Sequence, residues 1–360
     1  MVTIILTHSA RYMRKLVFTA FLGFLLSACK LPGRSFDAAT PSTPSPGSGN
    51  DLYLYVASGA CYGGGVTASA GLGLVTKYRL DTGAYVDVIA DYSENATTDL
   101  PADLQNYDDD FLMVLVENAT TTSFRRVDLI PKRGSRVPEG LTYGGGAFSG
   151  ILRALHLLAD GSVLTSRSGA ISKFDSDFQL TATGFVNAPT GACATSTTLM
   201  ADMVELSSGK IVFAHSAASP NNKLGLMSAD GTTCLAAQAG PVTTALPTDL
   251  LLHSSGNLLV AYGSTTATSN LIYSYDINQT GNTFTAYQSY SNSAFVNGPS
   301  RMVEDVTTGD VYIANATSTY NTIEKFTYNS STRMLTRAQN FPFIRFSGST
   351  RCVSGMVISE

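Results

Sequence analysis

From residue 51 onward the chain repeats one pattern: an apolar strand, a tight turn usually ending in Gly, a second apolar strand, a polar loop, and then another hairpin. The clearest copies run from Ala201 to Phe213, turning at Ser207-Ser208-Gly209, and from Thr248 to Val260, turning at Ser254-Ser255-Gly256. Arg301-Met302-Val303-Glu304 turns at Gly309 into Val311-Tyr312-Ile313, and Arg153-Ala154-Leu155-His156 turns at Asp160-Gly161 into Val163-Leu164. A fifth copy, Asp103-Leu104-Gln105, turns at Asp108-Asp109-Asp110 into Phe111-Leu112-Met113-Val114. The turn positions Asp110, Gly161, Gly209, Gly256 and Gly309 are 47 to 53 residues apart. Second hairpins follow, for example around Asp81-Thr82-Gly83 and Ala229-Asp230-Gly231, where Asp and Gly tolerate the φ values that hairpin turns require. Four short strands at this period predict a β-propeller.

The two ends complete the count. Leu52 to Ser58 reads as the second strand of a unit without a first, and Gly355-Met356-Val357-Ile358 as a first strand without a second. Pairing them hides two sheet edges. The expectation is therefore an all-β domain over residues 51–360, a six-bladed propeller closed by its N- and C-terminal strands. In such a hairpin the start of the last strand, near Cys352, lies beside the end of the first, near Cys61. A Cys61–Cys352 disulfide is expected there, which leaves Cys193 with Cys234.

The start of the chain is different in kind. Arg14-Lys15, the apolar run Leu16 to Leu26 and the small residues Ser27-Ala28 have the layout of a secretory signal. The apolar core is too short to cross a bilayer, and no other segment is long enough. Leu26-Ser27-Ala28-Cys29 resembles the lipobox of bacterial lipoproteins, which implies a signal peptide over 1–28 and lipidation of Cys29. Residues 29–50 are rich in Pro, Ser, Thr and Gly, a composition that forms a mobile tether rather than a core. Lys30 follows the cysteine, whereas Asp at that place is the inner-membrane retention signal of enterobacterial lipoproteins. That resemblance implies an outer-membrane address in the cell envelope.

Charge and chemistry narrow the function classes. The formal net charge is −4; the leader holds three bases (Arg11, Arg14, Lys15) and no acid, so the remainder carries 20 bases against 27 acids, or −7. That balance excludes a nucleic-acid footprint. No cysteine pair has CxxC spacing, and His156, His215 and His253 form no HxH or HExxH, which leaves zinc and redox chemistry without ligands. No GxSxG, P-loop or GxGxxG occurs. Leu54-Tyr55-Val56-Ala57-Ser58, leading to Lys77-Tyr78-Arg79-Leu80-Asp81-Thr82-Gly83, resembles the blades of NHL-like and YVTN-like propellers across residues 51–360. The chain has no Trp, so the Trp-Asp ending of WD40 blades is absent.

One polar constellation recurs. Aligning the repeats places Asp103, Arg153, Asp202, Asp249 and Arg301 at equivalent positions at the start of the innermost strands, with Gly355 in the sixth. In a propeller this position faces the channel mouth. The carboxylates are candidate hard-oxygen ligands for Ca²⁺, or each pairs with a neighbouring Arg and holds the ring together. The second reading is preferred, so no cofactor is expected and Ca²⁺ is the candidate if one binds. The expected function is an envelope-anchored, non-enzymatic lipoprotein that reaches the membrane through its lipid and binds a protein or glycan partner. The alternative is a metal-dependent, lactonase-like hydrolase using Asp103, Asp202 and Asp249.

Overall fold

The computed structural model describes residues 51–59, 73–92, 99–118, 125–133, 142–143, 154–167, 170–176, 180–187, 193, 200–215, 222–241, 243–264, 270–316, 321–339, 342–346 and 352–360. Its strands form six antiparallel sheets. The first blade holds β1 (Tyr53–Ser58), β2 (Leu74–Arg79) and β3 (Tyr85–Asp91), and the second β4 (Asp99–Asn106), β5 (Phe111–Asn118), β6 (Arg125–Pro131) and β7 (Thr142–Tyr143). The third runs β8 (Leu155–Leu157), β9 (Val163–Arg167), β10 (Ala170–Phe174) and β11 (Leu180–Asn187). The fourth comprises β12 (Met200–Glu205), β13 (Ile211–His215), β14 (Lys223–Met227) and β15 (Cys234–Ala239). The fifth is β16 (Leu246–Leu252), β17 (Leu258–Gly263), β18 (Leu271–Asn278) and β19 (Thr283–Tyr290). The sixth has β20 (Pro299–Asp305), β21 (Asp310–Ala316), β22 (Asn321–Asn329), β23 (Met334–Arg337) and the short β24 (Ile344–Arg345). The last strand, β25 (Val353–Ser359), returns to pair with β1 as the inner strand of the first blade. Neighbouring inner strands touch in the order β25, β4, β8, β12, β16, β20 and back to β25. This is a closed six-bladed β-propeller, as the repeat predicts.

The core follows from the two-residue side-chain period of a strand. Along β5, Leu112, Val114 and Val116 pack toward the first blade while Met113 and Leu115 pack toward the third. Along β17, Leu258, Val260 and Tyr262 face the fourth blade, and Leu259 and Ala261 the sixth. Strands buried on both faces read as continuous apolar runs, which is why these segments stand out in the sequence. The repeated turn has one geometry: Gly161, Gly209 and Gly256 take φ of 80°, 76° and 87°, and each donates its N–H to the carbonyl three residues back. That left-handed conformation is what Gly supplies at low steric cost.

Ring closure uses both ends. Leu54, Tyr55 and Val56 pair with Ile358, Val357 and Met356, and Gly59 N–H donates to Cys352 O at 3.2 Å. Lys132 Nζ, carried just past β6, donates to Ser359 Oγ and Asp108 O, tying the last strand to the second blade. Cys352 is disulfide-bonded, while Cys61, its expected partner, lies outside the described residues. So do Cys29, the leader and the tether. Between the sixth and first blades, β23 and β24 both pair with β22 on one edge. The intervening chain brings Phe343 to 4.8 Å from the ring of Tyr312. The Cys193–Cys234 disulfide is formed, with Cα atoms 5.8 Å apart, and pins the segment before β12 to the outer strand of the same blade.

Two outcomes check this architecture. Removing residues 353–359 leaves β1 and the neighbouring inner strands without their partner, and calorimetry should show loss of the single cooperative transition; an unchanged melting temperature contradicts the closure. Replacing Cys193 and Cys234 by Ala should lower stability by about 2 to 5 kcal/mol in denaturant titrations.

Candidate functional site

Five of the six inner strands share a local irregularity that organises the channel mouth. The pairing register slips by one residue between Pro101 and Asp103, Met200 and Asp202, Pro247 and Asp249, and Pro299 and Arg301. The same slip occurs in β25 opposite the step from Ala57 to Ser58. Each β-bulge leaves one extra residue, namely Ala102, Ala201, Thr248, Ser300 or Ser354, immediately before Asp103, Asp202, Asp249, Arg301 or Gly355 respectively.

The carboxylates point across to the next blade. Asp103 Oδ2 accepts the N–H of Leu155, Asp202 Oδ2 that of Leu250 and Asp249 Oδ2 that of Met302, at 2.8, 2.8 and 2.6 Å. The acceptor thus binds the amide one residue beyond the equivalent position of its neighbour. By that rule the third-blade equivalent is Ala154 rather than Arg153, which the repeat alignment had placed there. The one-residue offset arises because β8 pairs Leu155 with Thr165, as β4 pairs Leu104 with Val114. Arg153 itself lies outside the described residues.

Hydroxyls of three bulge residues also bridge blade junctions. Thr248 Oγ1 donates to Pro299 O at 2.7 Å, Ser300 Oγ to Val353 O at 2.9 Å and Ser354 Oγ to Pro101 O at 2.7 Å. Between the third and fourth blades Ser166 Oγ donates to Met200 O at 3.3 Å. Every blade junction therefore carries a carboxylate-to-amide or a hydroxyl-to-carbonyl bond. Sequence reasoning missed the hydroxyls, although Thr, Ser and Ser directly before Asp249, Arg301 and Gly355 were a readable signal. Gly355 is required by close approach: a Cβ there would lie 2.5 Å from the Leu104 nitrogen.

Arg301 gathers the ring. Its Nε donates to Ser354 O at 2.6 Å, Nη1 to Thr248 O at 3.3 Å and Nη2 to Ala102 O at 3.3 Å, so one guanidinium binds bulge carbonyls from the first, fifth and second blades. It also lies 3.3 Å from Asp249 Oδ1 and 3.6 Å from Asp103 Oδ1. Asp103, Asp202 and Asp249 are all buried, with 4 to 7 % of their surface exposed. Burial pushes all three carboxyls above the ordinary carboxylate range against the opposing pull of Arg301, Asp202 up to about 7. Burial alone would weaken the Arg301 charge, but the three carboxylates more than offset it. No group of three or more His, Cys, Asp or Glu side chains among the described residues is arranged to hold a metal ion.

The histidines sit apart from this cluster. His156 Nε2 accepts the N–H of Glu205, and burial lowers its pKa to about 4. His253 lies 3.3 Å from Glu304, whose carboxylate also accepts the N–H of Ser254. Glu205 caps Ala159 N–H in the equivalent turn of the third blade, so this is a second repeated link at the opposite end of the inner strands. His215 is fully buried, neither ring nitrogen has a hydrogen-bond partner among the described residues, and burial with the nearby Lys223 charge lowers its pKa to about 3.

Comparison with known proteins agrees with the architecture. No family model matches the chain, and no curated protein matches it in sequence. A protein of unknown function from Bacteroides caccae superposes with a TM-score of 0.52 at 13% identity, over 86% of this chain and 99% of that one. A chain of a nidogen/laminin complex gives 0.53 at 12% identity, over 86% and 98%. The GH74 enzyme of Niastella koreensis gives 0.51 at 14% identity, over 78% of this chain and 46% of that one. The likeness is one of fold.

Two substitutions test these roles. Arg301→Met removes donors to three blades and the counter-charge of buried carboxylates, and should lower stability by on the order of 3 to 5 kcal/mol at pH 7 in urea titrations. His215→Leu removes two unpaired buried nitrogens and should raise stability by about 1 to 3 kcal/mol. The folded pKa of His215 lies below the unfolded value of 6.5, so the unfolded chain takes up the proton first. The native protein therefore loses stability as pH falls from about 6.5 toward 3, and the Leu variant should lose less.

Proposed function

We propose that this protein is an envelope-anchored lipoprotein whose propeller is a rigid, non-enzymatic scaffold for a protein or glycan partner. The observation that carries this reading is the order of parts: a basic and apolar leader ending at Cys29, a Pro/Ser/Gly-rich tether, and one closed propeller. Lipid on Cys29 fixes the chain to a membrane, and the tether lets the propeller stand away from it. Lys30 supports the outer membrane as the address. The described channel-mouth side chains support a structural use of the axis, because their polar atoms bond neighbouring blades. Binding then falls to the loops that such scaffolds position at their faces. The repeat grammar of NHL-like and YVTN-like blades is compatible with this role, and the fold leaves the chemistry of the partner open.

Membrane fractionation of the native protein and a Cys29→Ser variant tests the anchor. The native chain should partition with membranes and carry lipid, and the variant should appear as unprocessed precursor or soluble exported protein. A variant that is still lipidated and membrane-bound would contradict the reading.

A further inference from the structure

Where the ring closes, the sixth and first blades flank a cleft of about 310 Å³ at the turn end of the inner strands, opposite the bulges. Its apolar side is formed by Leu52, Leu80 and Tyr312, which belong to the packed cluster between these two blades. Its polar side is ionic: Asp51, Arg79 and Asp81 come from the first blade, Asp305 and Lys325 from the sixth. Most of these charges are already engaged. Arg79 grips Asp81 through Nε and Nη2, both at 3.0 Å, and Lys325 Nζ lies 2.9 Å from Asp310. Asp305 accepts the N–H of Thr307 and the hydroxyl of Thr308 within its own turn. Asp51 is held more loosely, 3.8 Å from Arg79. A guanidinium or ammonium carries more donors, and a carboxylate more lone pairs, than one ion pair uses, so the cleft keeps spare donors and acceptors side by side. Such a lining suits a ligand that donates and accepts at once. A carboxylate ligand would meet Asp51, Asp81 and Asp305, and an ammonium would compete with cations already seated on their carboxylates.

We propose that this cleft binds one neutral pyranose unit of a glycan, with sugar hydroxyls bonded to Asp51, Arg79 and Lys325 and an apolar ring face against Leu52 and Leu80. The proposal rests on the glycan branch of the scaffold reading and gives it a place on the propeller. Size agrees with it, because small-molecule sites begin at roughly 300 Å³ and this cleft stands at that lower end, enough for a single ring. Asp81 and Thr308 are exposed, so the cleft opens to solvent and the neighbouring units of the glycan extend outward.

Titration of the purified, methyl-labelled native protein with glucose, galactose and mannose, and with glucosamine and glucuronate as charged counterparts, reads this directly. At least one neutral sugar should bind with a Kd on the order of 1 to 10 mM, the range of a small polar ligand with few apolar contacts. It should shift the methyl resonances of Leu52 and Leu80 but not that of Leu258, which packs between the fourth and fifth blades. Asp51→Asn combined with Arg79→Gln removes charge-assisted bonds to the sugar and should weaken binding by about tenfold or more. Should that variant fail to fold, the methyl shifts of the native protein decide alone. No shift at Leu52 and Leu80 with any of the neutral sugars overturns the proposal, as does tighter binding of glucosamine or glucuronate, which would assign the cleft to a charged ligand. A sugar bound equally by the native protein and the folded variant overturns the cleft while leaving the scaffold reading in place. Conversely, a Cys29→Ser protein that stays lipidated fails the anchor without touching sugar binding at the cleft.

Discussion

The β-bulge at the start of five of the six inner strands is the constraint on which the rest of the molecule depends. Apolar faces make the blades stack, but burial is non-directional and would tolerate sliding of one sheet over the next. The bulge converts stacking into a fixed ring. It frees one residue from the ladder and turns a hydroxyl or a carboxylate toward the neighbouring backbone. Each such bond contributes about 0.5 to 1.5 kcal/mol when neutral and about 1.5 to 3 when charged, small against the core. Its value is positional, because an amide or carbonyl accepts only one register.

The distribution of these bonds shows how the ring tolerates variation. The fifth blade uses both devices, through Thr248 and Asp249, whereas the second and fourth rely on Asp103 and Asp202 beside an alanine. The sixth and first rely on Ser300 and Ser354, since Arg301 and Gly355 stand where a carboxylate would. Arg301 exists in that place because three carboxylates need a counter-charge and four bulge carbonyls lie within its reach: those of Ala102, Thr248, Ser300 and Ser354. The described polar side chains at the axis thereby join neighbouring blades.

Much of this was readable from the chain because the blade strands are buried on both faces and their turns need Gly. The strand runs around Val212, Leu259 and Ile313, the spacing of Gly161, Gly209, Gly256 and Gly309, and the half-units at both ends led to six blades and to closure by β1 and β25. The pairing of Cys193 with Cys234 followed from excluding the other two cysteines. Arg153 was aligned one residue early, because Asp202 and Asp249 stand seven residues before the turn glycines Gly209 and Gly256, and the same spacing back from Gly161 leads to Ala154. The hydroxyls of Thr248, Ser300 and Ser354 were passed over because each sits at a register shift that alternation along a strand does not anticipate. His215 had no sequence signal at all, since a histidine at a strand end reads as solvent-facing.

Native-state hydrogen exchange at three amides tests the central claim most directly. If the cross-blade bonds hold the ring, the N–H groups of Leu155, Leu250 and Met302, bonded to Asp103, Asp202 and Asp249, should exchange only through global unfolding, with protection equal to that of the buried amides of β17. Exchange of these three amides at the faster rates of local fraying, while β17 stays protected, would show that the blades are held by apolar stacking alone.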